Sequence, residues 1–133
     1  MSTTNRWSNL IDWALRLFVA AVFLFEGTDK FGSRRLWIRL FTDIGIGQWF
    51  RYTTGAIEII GGILILIPRA TMIAVAMLAC TMVGAFLAHV FVIGVGPQSV
   101  IVAVLLTAIL TVGWRRHAAS TRMVMKRATS SVV

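Results

Sequence analysis

From Ala70 to Trp114 the chain runs 45 residues without a single Asp, Glu, Lys or Arg. A soluble domain of 133 residues has too much surface relative to its core to hide so long an uncharged run. The whole chain is 58% hydrophobic and 14% charged, against about 25% charged in an ordinary soluble domain. These figures point to an integral membrane protein and exclude a disordered chain, which needs the opposite balance. The net charge of +8 would suit a nucleic-acid binder. A membrane surface accounts for it more economically, and no nucleic-acid partner is expected.

A bilayer-spanning helix needs about 20 mostly apolar residues, with 17–25 tolerated. Four stretches qualify, at about 9–27, 51–68, 71–94 and 99–114. Pro68 lacks an amide donor and Arg69 resists burial, so the second span should stop there. Gly94-Val95-Gly96-Pro97 divides the uncharged run into the third and fourth spans, and Arg115-Arg116 should stop the fourth. The expected architecture is therefore all-α. It is a single domain over 1–133, a bundle of four transmembrane helices followed by a basic tail, 115–133, in contact with solvent or lipid. The first apolar run follows Asp12 and Arg16 and precedes no small-residue cleavage site, so it reads as a retained helix and not a signal peptide.

The long connection between the first two spans has its own pattern. Leu36, Trp37, Leu40, Phe41 and Ile44 recur at helical spacing, with Arg34, Arg35, Arg39 and Asp43 between them. This is an amphipathic interfacial helix, too charged to span. It serves either as a surface anchor or as a lid over a cavity between the helices, with Gly45-Ile46-Gly47 as its flexible exit.

Orientation follows from the basic residues. One side holds Arg6, Arg69, Arg115, Arg116, Arg122, Lys126 and Arg127; the other holds Lys30, Arg34, Arg35, Arg39 and Arg51. The positive-inside rule places both termini in the cytoplasm by a margin of two charges. Trp7 and Trp114 then fall at one interface and Trp37 and Trp49 at the other.

Charged groups inside the hydrocarbon cost about 2.5–3.5 kcal/mol each, so those present need partners or a wet cavity. Glu58 is the strongest candidate site residue. Gly55 precedes it by three residues, and Gly61 and Gly62 follow it by three and four, so it shares a helix face whose small residues admit close packing. At 1.5 Å per residue Glu58 lies about 10 Å below the outer end of its span, and His89 about 7–8 Å below the end of the third. Glu26 and Lys30 stand at the outer end of the first span, and Arg16 near its middle. Glu58, His89, Arg16, Glu26 and Lys30 are thus the polar-site candidates, suited to a proton relay, a polar ligand site or a weak metal site.

Simpler roles stand beside these. Asp12–Arg16 and Glu26–Lys30 are spaced i,i+4 and fit helix ion pairs. Arg16 could instead reach Glu58 as structural glue, and His89 could be an interhelical hydrogen-bonder. Thr81, Thr107 and Thr111 should bond their own helix backbones, and His117 should lie on the surface. The lone Cys80, in apolar surroundings, reads as a buried packing residue and excludes an internal dithiol. No metal-ligand spacing and no haem motif is present.

The first span, with Arg16, Phe23 and Gly27-x-x-Lys30-Phe31, resembles the start of DoxX family membrane proteins. Gly55-Ala56-Ile57-Glu58-Ile59-Ile60-Gly61-Gly62 resembles that family's glycine–glutamate second span. Ile46-Gly47-Gln48-Trp49-Phe50-Arg51-Tyr52 and the Pro68-Arg69 stop are similar to its DoxX-like branch. The resemblance covers Leu10 to Arg116. It implies a four-helix protein of the bacterial inner membrane, in a family with members linked to thiosulfate:quinone oxidoreductase or to thiol-redox and oxidative-stress complexes. It supplies no catalytic residues. The leading expectation is a subunit or accessory of redox or quinone-linked metabolism. If the chain takes part in catalysis, it does so as an oxidoreductase subunit. A quinone is the cofactor class this admits, and a soluble or membrane redox partner and self-association are the partners. In that reading Glu58 is the pocket acid, His89 its proton-transfer or hydrogen-bonding partner, and Arg16 a headgroup anchor. Two alternatives stay open: a small-molecule carrier, and a membrane anchor or interaction protein with no chemistry of its own.

Overall fold

The computed structural model describes residues 3–130 and is helical throughout its ordered elements. In chain order these are α1 (Thr3–Asp29), α2 (Arg35–Ile44), α3 (Gln48–Leu64), α4 (Thr71–Ala88) with a π-helical turn at His89–Ile93, and α5 (Pro97–Ser130). Helix α1 packs on α3, α3 on α4, α4 on α5, and α5 closes the ring against α1. Short α2 lies across one end and touches α3 and the π turn.

Two helices are long and apolar enough to cross a membrane by themselves, Thr71–Ile93 and Pro97–Ser130. The other two expected spans form as helices, but α1 carries Asp12, Arg16 and Glu26, and α3 has only 17 residues. Pro68 explains where α3 stops. A proline ring collides with the carbonyl four residues earlier, and α3 ends at Leu64, not at Pro68 as expected. Ile65 to Ala70 follow as tight turns, with Leu66 and Ile67 bonding back three residues.

Helix α5, the expected fourth span, departs furthest from expectation. Arg115 and Arg116 end its apolar stretch but not the helix, which continues to Ser130. Charge stops insertion into hydrocarbon, whereas helix propensity favours Arg, Ala, Met and Lys. Nothing in this tail breaks a helix until Ser130; residues 131–133 lie outside the described residues. Arg115 also ties the ring together, bonding Asp12 through its Nε and the Ser8 carbonyl at 3.2 Å. The expected Asp12–Arg16 pair is therefore replaced. Arg16 donates instead to Thr71 Oγ1 at 3.3 Å and sits over the Trp13 ring.

The glycine face of α3 does what its spacing predicts. A methyl group at Gly27 would meet the Gly55 carbonyl at 2.9 Å and Ile59 at 2.8 Å. Helices α1 and α3 thus touch backbone to backbone, and Gly61 makes room for the Leu78 side chain of α4. Val19, Phe23, Ile65, Leu78 and Ile109 fill the centre of the bundle. Cys80 is exposed, contrary to the reading of a buried packer. The buried stripe of α4 runs Thr71, Ala74, Val75, Leu78 and Met82, and Cys80 projects to one side of it.

Candidate functional site

A cavity of about 640 Å³ opens at the end of the bundle covered by α2. Its existence follows from local sequence. Gly45 caps α2 in the left-handed conformation at φ 79°, and Gly47 follows at φ 103°, ψ 163°, a region essentially closed to other residues. Two such residues turn the chain sharply, so α2 folds back over the bundle before α3 begins. Its apolar face, Leu36, Trp37, Leu40, Phe41 and Ile44, lines the cavity from above. Of the two roles open to this helix, the covering one is what the geometry displays.

The opposite wall is polar. Glu58 is 1% exposed and pairs with Lys30 of the α1–α2 connection. Helical spacing had suggested Glu26 as the partner of Lys30. That pairing gives way because Lys30 lies one residue past the end of α1 and can swing towards α3. A fully buried carboxylate also needs a counter-charge far more than half-buried Glu26 does. The Lys30 ammonium stands 4.6 Å from the Trp37 ring centroid. Trp37 in turn donates its indole N–H to Asp29 Oδ2 at 2.7 Å, and Arg34 bridges to the same oxygen at 3.0 Å. The lid is therefore tied to the polar wall through its one tryptophan.

His89 completes the wall from α4. It is 9% exposed, and its Nδ1 lies 2.8 Å from the Ala85 carbonyl of its own helix. The bond is intrahelical and not interhelical as sequence suggested. The Gly94 amide bonds the His89 carbonyl five residues back, the signature of the π turn, and such turns are frequent at functional sites because they re-aim side chains. Cys80, Thr54, Thr81 and Gln98 also border the cavity.

Four of the five candidate residues, Glu26, Lys30, Glu58 and His89, thus converge on one cavity. The fifth, Arg16, does not. It lies two to three helical turns away, bonded to Thr71 and outside the cavity lining, and Glu58 pairs with Lys30 instead of with it. Thr81, Thr107 and Thr111 bond their own backbones as expected, and His117 is exposed.

Sequence reasoning missed Arg51, which is 4% exposed and donates to the Gly32 carbonyl at 2.8 Å and Tyr52 Oη at 2.7 Å. It had been counted as a flanking charge. The signal was available: Arg51, Gly55, Glu58 and Gly62 stand at i, i+4, i+7 and i+11, one continuous face. Arg51 pins the α1–α2 connection, and with it Lys30, against α3. No group of three or more metal-ligating side chains occurs among the described residues.

A family model described as the DoxX-like family matches residues 14–113. A Bacillus subtilis (strain 168) protein named "Putative oxidoreductase CatD" is 34% identical over 73 residues, 55% of this chain and 54% of that one. The matched segment spans about half the length of that relative. No solved structure matches.

Proposed function

The chain belongs to the DoxX-like family, and on that premise we propose that it is a four-span membrane protein serving redox metabolism as a quinone-binding subunit or accessory. The observation that carries this reading is the cavity, where the apolar face of α2 opposes Lys30, Glu58 and His89. Ligand sites of about 300–1,000 Å³ are typically apolar with a few fixed polar groups. A substituted quinone, with a flat ring, polar edges and an apolar tail, has that division of character. The relative named as an oxidoreductase supports the redox class.

The residues present fit such a ring. Trp37, Phe41 and Phe50 offer aromatic surface, and the apolar α2 face covers the cavity from above. The Lys30–Glu58 pair would supply fixed charge to the ring's polar edge, and His89 is held in one orientation by Ala85. A bound quinone would supply two-electron, two-proton chemistry. The chain's own contribution is to bind the ring, orient it and keep protonatable groups at its rim.

Four crossings are supported by the outer surface of the bundle. Leu17, Phe18 and Phe25 of α1 and Ile60 and Ile63 of α3 are as exposed as the apolar residues of α4 and α5. The charges of α1 and α3 near mid-bundle, Arg16 and Glu58, are buried inward, as charged groups in membrane helices are. With the charge bias given above, both termini face the cytoplasm, and in a bacterium the membrane is the inner one.

The test is direct. The full chain is assembled in lipid nanodiscs doped with a long-chain quinone, washed, and its retained quinone measured by mass spectrometry. Wild-type protein should retain quinone, and folded Trp37→Ala and Glu58→Gln variants should lose it. Wild-type discs with no more quinone than empty discs would end this reading.

A further inference from the structure

We infer that the ligand's apolar tail leaves the cavity sideways into the bilayer, through an opening between α3 and α4 edged by Gly84 and Cys80. The site thus takes membrane-dissolved, long-tailed rings, enclosing the head and leaving the tail in lipid. This deepens the quinone reading and rests on it.

A residue that lines a cavity and is also exposed stands at one of its openings. Such residues fall into two sets. Arg34, Leu36, Ile46, Gln98 and Ile101 stand at the end of the bundle, beside α2 or in the first turns of α5. Cys80 and Gly84 stand apart, well inside α4. Counted from Ile93 at 1.5 Å per residue, Gly84 lies about 14 Å and Cys80 about 20 Å along the helix. The hydrocarbon core of a bilayer is about 30 Å thick, so in the four-span arrangement this second opening faces acyl chains and not water.

Local sequence makes the opening. On the flank of α4 that meets the cavity, Cys80, Thr81, Gly84 and Ala88 are all small. A Cβ added at Gly84 meets nothing within 4 Å, so no neighbouring side chain fills the gap. Thr54 and Ile57, both half-buried, line the same cavity from α3, the neighbouring helix. Deeper in the bundle the seam is shut. Leu78 is fully buried there, and a methyl group at Gly61 would meet it at 2.6 Å.

Depth and chemistry decide which opening a tail uses. A cavity of about 640 Å³ has the size of a site for a drug-sized molecule, enough for a ring and not for a long isoprenoid chain as well. A tail leaving at the end of the bundle would pass Arg34 and Gln98 towards headgroups and water. Each methylene taken out of hydrocarbon in that way weakens binding about fourfold. A tail leaving past Gly84 stays in the lipid where such ligands dissolve. Gly84 is on this reading a specificity-determining residue, because it keeps open the route that a long tail needs and a short one does not.

The experiment uses the full chain in nanodiscs and two probes with one headgroup, octaprenyl ubiquinone and the same ring carrying a single prenyl unit. Dissociation constants come from titrations followed by native mass spectrometry. Gly84→Phe puts an aromatic ring into the open space at that position. It should weaken binding of the octaprenyl probe about tenfold or more, as displacing one or two methylenes from lipid would, and leave the monoprenyl probe within about twofold. Gly84→Ala should leave both probes unchanged, because its small methyl group keeps the opening clear. If Gly84→Phe fails to fold, alkylation of Cys80 by N-ethylmaleimide in the folded wild-type protein narrows the same opening and should separate the two probes in the same way. Equal weakening of both probes, or octaprenyl affinity unchanged by the blocked opening, would overturn the inference and leave the quinone-binding reading standing. Binding of neither probe by the wild-type protein would overturn both.

Discussion

Lys30 and Glu58 meet across the seam between the first and third helices, 28 residues apart in sequence, with side chains 8% and 1% exposed. Neither has a second formal charge bonded to it, so each is the other's compensation. Breaking a buried pair by removing one partner costs about 3–5 kcal/mol, while replacing both with apolar groups is often neutral. Lys30→Met and Glu58→Met should therefore each destabilise the bundle by about 3–5 kcal/mol. The double variant Lys30→Met/Glu58→Met should recover most of that loss. Reversible unfolding in mixed detergent checks the cycle, and additive losses in the double variant would show that the two charges are not coupled.

The glycine seam gives a second expectation. Gly27→Ala places a methyl group 2.9 Å from the Gly55 carbonyl, a backbone atom that cannot move aside cheaply. Overpacking of this kind costs about 1–3 kcal/mol. Gly84→Ala on α4 meets nothing within 4 Å. There the relief of backbone entropy should stabilise by about 0.5–1 kcal/mol. Thermal unfolding of the two variants should shift in opposite directions.

Cys80 borders the cavity and is exposed, although sequence suggested a packed core residue. In nanodiscs, N-ethylmaleimide should modify it in the folded protein, as mass spectrometry would record. Saturating decylubiquinol should slow that modification. Labelling that proceeds at the same rate with and without ligand would place the ligand elsewhere.

The lid depends on its hinge. Gly47→Ala puts a Cβ into a backbone region that costs of order 1–3 kcal/mol, and the strain acts where α2 turns into α3. The expected result is weaker ligand retention with a smaller effect on global unfolding, because the bundle core does not include this turn. Hydrogen exchange along α2, Arg35–Ile44, should rise in the variant.

Much of this was legible in the sequence where one periodicity governs. The face holding Gly55, Glu58 and Gly62 was readable because close helix packing needs small residues at fixed spacing. The apolar face of α2 was readable for the same reason. Pairings between helices were not. Asp12 and Glu26 each have a basic residue four positions on, yet their structural environments send Arg16 to Thr71 and Lys30 to Glu58. Local spacing ranks only the partners within one helix, whereas burial decides which charge most needs compensation. The end of α3 was misplaced by four residues because a proline acts on the carbonyl one turn before it. The continuation of α5 past Arg115 was missed because hydropathy reports where a helix leaves the hydrocarbon, not where it stops being a helix.

The clasp between Arg115 and Asp12 joins residues 103 apart, the first helix to the last. A ribosome delivers Asp12 to the membrane long before it delivers Arg115, so through most of synthesis the first helix holds an acid without its eventual counter-charge. This pair can therefore form only once the last helix has been made. A chain truncated before residue 115 would leave that acid uncompensated, a natural mark by which quality control could tell an unfinished bundle from a finished one.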